Sequence, residues 1–170
     1  IHGATFSSVE IDKHSPRTAV QIGSPITQKL VSDMLEVATA RGIVQCTTDN
    51  GAGGLASSIG ELAPIGGGAV VWLDQVPLKY PGLQPWEIFV SESQERMQLV
   101  CNPARREALE ALAAEYEVEL TLVGEFNDLG TLDVRYGDQT VGLFDLHFLH
   151  EGVPRKFMEA EWRAPEASEP

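Results

Sequence analysis

Two stretches of this sequence combine residue types that bind metals, phosphates or sugar hydroxyls. The first is Asp49-Asn50-Gly51-Ala52-Gly53-Gly54. Glycines that follow a strand let backbone N–H groups and a helix N-terminus approach an anion, so Gly51, Gly53 and Gly54 are candidates for a phosphate loop. Asp49 would stand at the end of that strand. A carboxylate there can ligate Mg2+, a hard cation that often bridges one or two protein carboxylates to phosphate oxygens. The same residues suit a helix cap, in which Asp and Asn satisfy free backbone donors and touch no ligand. A lone glycine loop is a weak signal, and periodicity alone favours the cap.

The second stretch is Ser91-Glu92-Ser93-Gln94-Glu95-Arg96-Met97, a polar run between an apolar helix and an apolar strand. Glu92, Ser93 and Gln94 offer the hydrogen-bonding groups that a substrate amide or sugar would need. A solvated turn accounts for the same composition. Gln21 lies where a strand runs into Gly23-Ser24-Pro25, so its neutral amide would sit near a helix N-terminus, or simply face outward from the strand. His2, His14, His147 and His150 are scattered, with no cysteine or carboxylate at a metal or nucleophile-base spacing, so no catalytic residue is assigned. Trp72 and Trp86 fall at apolar positions and are expected in the core.

The elements that must position these residues follow from cap and periodicity signals. Ser24-Pro25 starts a helix whose apolar stripe runs through Ile26, Leu30, Met34 and Val37 and stops at Gly42. Residues 43–48 read as a strand, 49–54 as the glycine loop and 55–63 as a helix. A strand over 69–73, an irregular proline-rich connection, a short helix near 86–90 and a strand over 96–101 follow. Pro103 opens a further helix through Leu109, Leu112 and Tyr116, residues 118–124 read as a strand, and 132–136 with 140–144 form a hairpin about Gly137-Asp138-Gln139. The expected fold class is therefore α/β, an α+β layered domain with a mixed sheet covered by helices.

With 170 residues the chain fits one domain. The proposed unit is 1–155, with 1–20 as a strand or linker from an upstream domain and 156–170 as a linker or mobile tail rich in Pro, Glu and Ala. Its formal charge of −13, from 12 basic and 25 acidic side chains, opposes a nucleic-acid backbone. It does not oppose nucleotide phosphates if Mg2+ carries the positive charge. No apolar run reaches the length of a membrane span. Cys46 and Cys101 lie in β-like runs and read as buried, reduced thiols.

Taken in order, several segments resemble one family. Gly3-Ala4-Thr5-Phe6-Ser7-Ser8 is similar to its Gly-Ala-Thr-Phe-Ala-Ser, and Gln21-Ile22-Gly23-Ser24-Pro25 to its Gln-Val-Gly-Asp-Pro. Asp49 to Leu55 resembles its Asp-x-Gly-Ala-(Ala/Gly)-Gly-Leu, and Ser91 to Met97 is its Ser-Glu-Ser-Gln-Glu-Arg-Met signature. The family is phosphoribosylformylglycinamidine synthase, and the chain resembles the second domain of its first half. The implied fold is that of the C-terminal domain of aminoimidazole ribonucleotide (AIR) synthetase, partly ferredoxin-like.

The resemblance implies an ATP-dependent C–N ligase of purine biosynthesis, expected in the cytoplasm. Such an enzyme converts formylglycinamide ribonucleotide and ammonia, supplied by a glutaminase partner, to the amidine. Mg2+ would neutralise charge during phosphoryl transfer. By match to the family motifs, Gln21, Glu92, Ser93 and Gln94 would contact the ribonucleotide and Asp49 would bind Mg2+. The catalytic histidine and most ATP contacts would lie in synthetase domains upstream of Ile1, so the piece alone is expected to be inactive. Thr48 and Ser24 depart from the family's frequent Gln and Asp. The competing readings are a related synthetase of the same superfamily and a non-catalytic binding domain.

Overall fold

The structure is a computed structural model and describes residues 23–79 and 81–163. Helix α1 (Pro25–Ala40) begins as its cap residues dictate, with the Ser24 hydroxyl accepting from Thr27 N–H and proline in the first turn. It is followed by β1 (Val44–Asp49), α2 (Gly54–Gly66), β2 (Ala69–Trp72), α3 (Pro85–Val90), β3 (Met97–Cys101), α4 (Arg106–Glu115), β4 (Gly124–Phe126), β5 (Thr131–Tyr136), β6 (Gln139–Asp145) and α5 (Leu146–Glu151). Short 3-10 turns lie at Leu73–Gln75 and Pro103–Arg105. Residues 152–163 carry no regular structure and are exposed.

The strands form two sheets, where the sequence reading expects one. β1 and β3 make an antiparallel ribbon, while the other four lie in the order β4-β2-β5-β6. In the larger sheet β2 and β5 are parallel and both other pairings are antiparallel, which makes it mixed. Two apolar cores explain the separation. Leu55, Ile59 and Ala63 of α2 pack on Ala69, Val71, Leu132 and Val134 of the larger sheet. Met34 and Ala38 of α1 meet Leu109, Leu112 and Ala113 of α4 over the ribbon, against which Val44, Leu99 and Cys101 are half-buried. Each amphipathic helix thus has one sheet face to cover.

Several expectations are corrected. Residues 118–123 form no ladder, and β4 begins only at Gly124. Their apolar side chains serve both cores instead: Val118 and Leu120 pack with α1 and α4, Val123 with the larger sheet. Gly124 allows the strand to start, because a Cβ there would lie 2.3 Å from the Val70 carbonyl oxygen. Trp86 is 59% exposed and Ile26 71%, so neither belongs to the core. Both cysteines are free and only half-buried.

Helix α5 has no counterpart in the sequence reading. Asp145 caps it, its carboxylate accepting from Phe148 N–H at 2.7 Å. His150 on α5 donates from Nε2 to the Gly60 carbonyl at 3.0 Å. That carbonyl needs an outside donor, because Pro64 stands four residues on in α2 and has no N–H to give it.

Candidate functional site

The ladder of β1 and β3 brings the two chemically promising stretches side by side. Asp49 is the last residue of β1 and pairs with Met97, the first of β3, so the glycine loop and residues 91–96 leave the ribbon at the same end. Three contacts then hold the loops together. Asn50 N–H donates to the Arg96 carbonyl at 3.0 Å, and Ser93 N–H donates to the Asn50 carbonyl at 3.2 Å. Gly54 supplies the third by close approach: a Cβ there would lie 2.2 Å from the Ser91 carbonyl oxygen. Its φ of +54° also belongs to the left-handed region that favours glycine.

Asp49 is exposed on the outer face of β1. One carboxylate oxygen accepts from Gly51 N–H at 2.8 Å, a turn inside the loop and not a cap on α2, whose N-cap is Gly53. Its other oxygen has no partner among the described residues. Gly54 N–H donates to the Gly51 carbonyl at 2.8 Å, so the amides of Gly51 and Gly54 are both engaged inside the loop. Gly53, with φ of +81°, gives α2 no side-chain cap. Among the described residues no group of three or more His, Cys, Asp or Glu side chains could hold a metal. The loop thus offers one carboxylate, that of Asp49, and a Mg2+ ion there would have to take its remaining ligands from water and phosphate.

Of the polar run, Glu92 and Ser93 are half-buried and Gln94 is exposed. The segment is fixed at both ends. Ser91 Oγ donates to the Glu87 carbonyl at the close of α3, and Arg96 Nη2 donates to the Pro77 carbonyl at 2.7 Å. Burial holds the Arg96 guanidinium below its ordinary pKa, with Glu119 opposing the shift. Between them Glu95 has φ of +55°, a left-handed conformation that costs a non-glycine residue about 1–2 kcal/mol. Strain of this kind persists where the surroundings over-determine a loop. Gln21 lies outside the described residues. Gly23, two residues on, lies beside the same loop, since a Cβ there would meet Glu95 Oε1 at 2.4 Å.

Sequence reasoning did not single out Asn50. It is 1% exposed, and its Oδ1 accepts from Ser58 Oγ on α2, which is fully buried. Its Nδ2 has no hydrogen-bond partner among the described residues. An unpaired buried amide costs about 1–3 kcal/mol. The only signal in the sequence was its place between Asp49 and Gly51, which a capping role also explains.

Two clefts lie away from these loops. One, of about 370 Å³, runs along α4 between Arg41 and Arg105. The other, of about 600 Å³, lies between Trp72, Leu122 and the β5–β6 turn. Neither is lined by Asp49 or by residues 91–97.

Comparison with known proteins gives this geometry a family. The phosphoribosylformylglycinamidine synthase subunit PurL of Salinibacter ruber is 39% identical over 158 residues, which are 91% of this chain and 21% of that protein. Solved structures of Thermotoga maritima PurL superpose well. Its complex with FGAR aligns at a TM-score of 0.75 and 29% identity over 89% of this chain and 25% of that one. Its complex with ATP gives 0.76 and 30% over 88% and 26%. The chain therefore spans about a fifth to a quarter of the length of the relatives it matches. The family described as AIR synthase related protein, C-terminal domain, matches residues 1–137, and the chain belongs to that family.

Proposed function

We propose that this chain is the substrate- and Mg2+-contributing domain of a phosphoribosylformylglycinamidine synthase. In that enzyme ATP activates the amide oxygen of formylglycinamide ribonucleotide, and ammonia then displaces phosphate to give the amidine. PurL relatives and the FGAR and ATP complexes of Thermotoga maritima PurL support the reading. The chain would work beside further synthetase domains and a glutaminase that supplies ammonia, an assignment supported by the solved PurLQS of the same organism.

One observation carries the assignment of roles. Ser93 N–H is bonded to the carbonyl of Asn50, the neighbour of Asp49, so a ligand on residues 92–94 would lie beside the Asp49 carboxylate. Glu92, Ser93, Gln94 and Gln21 would orient the ribonucleotide through its amide and hydroxyls. Asp49 would hold Mg2+, which when bound supplies neutralising charge for phosphate oxygens. None of these residues needs to move a proton; they position and balance charge. The membrane plays no part in this reading, and among the described residues no helix is long and apolar enough to cross one.

Kinetics of the synthetase that carries this chain test the proposal. Asp49→Asn removes the anionic ligand and Ser93→Ala one polar contact; Asp49 at the end of β1 and Ser93 in the 91–96 loop both lie outside the cores. Each variant is expected to fold as wild type, with amidine formation reduced by roughly a hundredfold for Asp49→Asn and about tenfold for Ser93→Ala. Unchanged turnover in both would remove the assignment.

A further inference from the structure

We propose that Asn50 is a positioning residue that locks the metal-side carboxylate and the ribonucleotide-side loop into one register. The inference rests on the function proposed above and adds a residue to it. Asn50 is the point at which three elements meet. Its N–H is bonded to Arg96 and its carbonyl to Ser93, so its main chain spans the 91–96 loop. Its side chain reaches the opposite way, to Ser58 Oγ in the second turn of α2. Asp49 precedes it directly, and Gly54 at the head of α2 lies against Ser91.

The two main-chain bonds could be made by almost any residue. The bond to Ser58 could not, and it fixes the peptide planes on either side of Asn50 relative to α2. Stability does not account for the choice of asparagine. Its amide is fully enclosed, yet one of its polar atoms lacks a partner among the described residues. Exchanging the amide oxygen and nitrogen changes nothing, because Ser58 Oγ can serve only one of them. A leucine would remove that unpaired amide and leave the Ser58 hydroxyl unpaired in exchange, so the bond contributes little net stability. What leucine would lose is the tie between the loops and α2, and such ties set how accurately a binding site is held.

The test uses the whole synthetase with Asn50→Leu, Ser58→Ala and the double variant. Melting temperature, kcat, KM for the ribonucleotide and the Mg2+ concentration for half-maximal rate are measured in each. Asn50→Leu is expected to melt close to the wild-type temperature, one unpaired buried group replacing another, while the KM and the Mg2+ requirement rise together, each by roughly five- to tenfold, and kcat changes little. Ser58→Ala is expected to act in the same direction, and the double variant to be no worse than Asn50→Leu, because both remove one shared bond. Unchanged KM and Mg2+ requirement in Asn50→Leu would overturn the proposal, as would losses that track a lowered melting temperature. If Asn50→Leu does not fold, Ser58→Ala decides by the same two readings. Asp49→Asn, assayed in parallel, separates the two ideas. An inactive Asp49→Asn beside a silent Asn50→Leu removes only the positioning role, whereas a fully active Asp49→Asn removes the functional reading beneath it.

Discussion

Replacing Gly54 with alanine should be far more damaging than replacing a glycine of similar backbone conformation in open space. Gly54 and Gly137 have φ of +54° and +56°, so either alanine would carry the left-handed penalty of about 1–2 kcal/mol. At Gly137 nothing lies within 4 Å of the new Cβ. At Gly54 the Cβ would lie 2.2 Å from the Ser91 carbonyl oxygen and 2.8 Å from its carbon, both main-chain atoms that cannot rotate away. Overpacking of this kind costs a further 1–3 kcal/mol or so. The expected total is about 2–5 kcal/mol for Gly54→Ala, a large part of an ordinary domain's stability. Urea unfolding followed by circular dichroism provides the measurement. With a slope of about 2 kcal/mol per molar, the midpoint of Gly54→Ala should fall below that of Gly137→Ala by roughly 0.5–1.5 M. Equal midpoints would mean that the glycine loop does not abut residue 91, and the juxtaposition of the two loops would fail with it.

Two further outcomes test how the surrounding frame is held. His150→Ala should cost roughly 1 kcal/mol by leaving the Gly60 carbonyl unpaired, and Pro64→Ala should remove that cost by restoring the helical donor. A double-mutant cycle on melting temperature that finds the two changes additive would contradict this account. Asp74 accepts from Gln75 Nε2 and from Gly137 N–H, and the bond to Gln75 chiefly lowers its pKa below 3.8. A lowered carboxylate pKa stabilises the fold above the unfolded value and ceases to do so as pH falls through the folded one. Wild type should therefore exceed Asp74→Asn in melting temperature near neutral pH, and the gap should close as pH falls below the ordinary carboxylate value. A gap that persists undiminished at acid pH would refute it.

How much was legible in the sequence varied with the distance over which each signal acts. Ser24-Pro25 marked the start of α1, and Gly137-Asp138 marked the β5–β6 turn, because caps and turns are encoded within a few residues. The split into two sheets was not legible, since nothing in β1 or β2 states which strand will pair with it. Residues 118–123 alternate like a strand, yet their side chains divide between two cores, a tertiary demand that local pattern does not record. Helix α5 was hidden by its brevity, six residues with one buried side chain. The two polar stretches were visible as composition, but their adjacency is a property of strand register. Asn50 was overlooked for the same reason, as its partners Ser58, Ser93 and Arg96 are brought to it by folding.

Crystals of the synthetase grown with formylglycinamide ribonucleotide and Mn2+ in place of Mg2+ give the most direct test of the shared surface. Anomalous scattering locates the metal without ambiguity. The account predicts a Mn2+ peak within coordination distance of the Asp49 carboxylate, about 2.0–2.3 Å, with the ribonucleotide touching residues 92–94. A metal bound elsewhere while the ribonucleotide avoids both loops would contradict it.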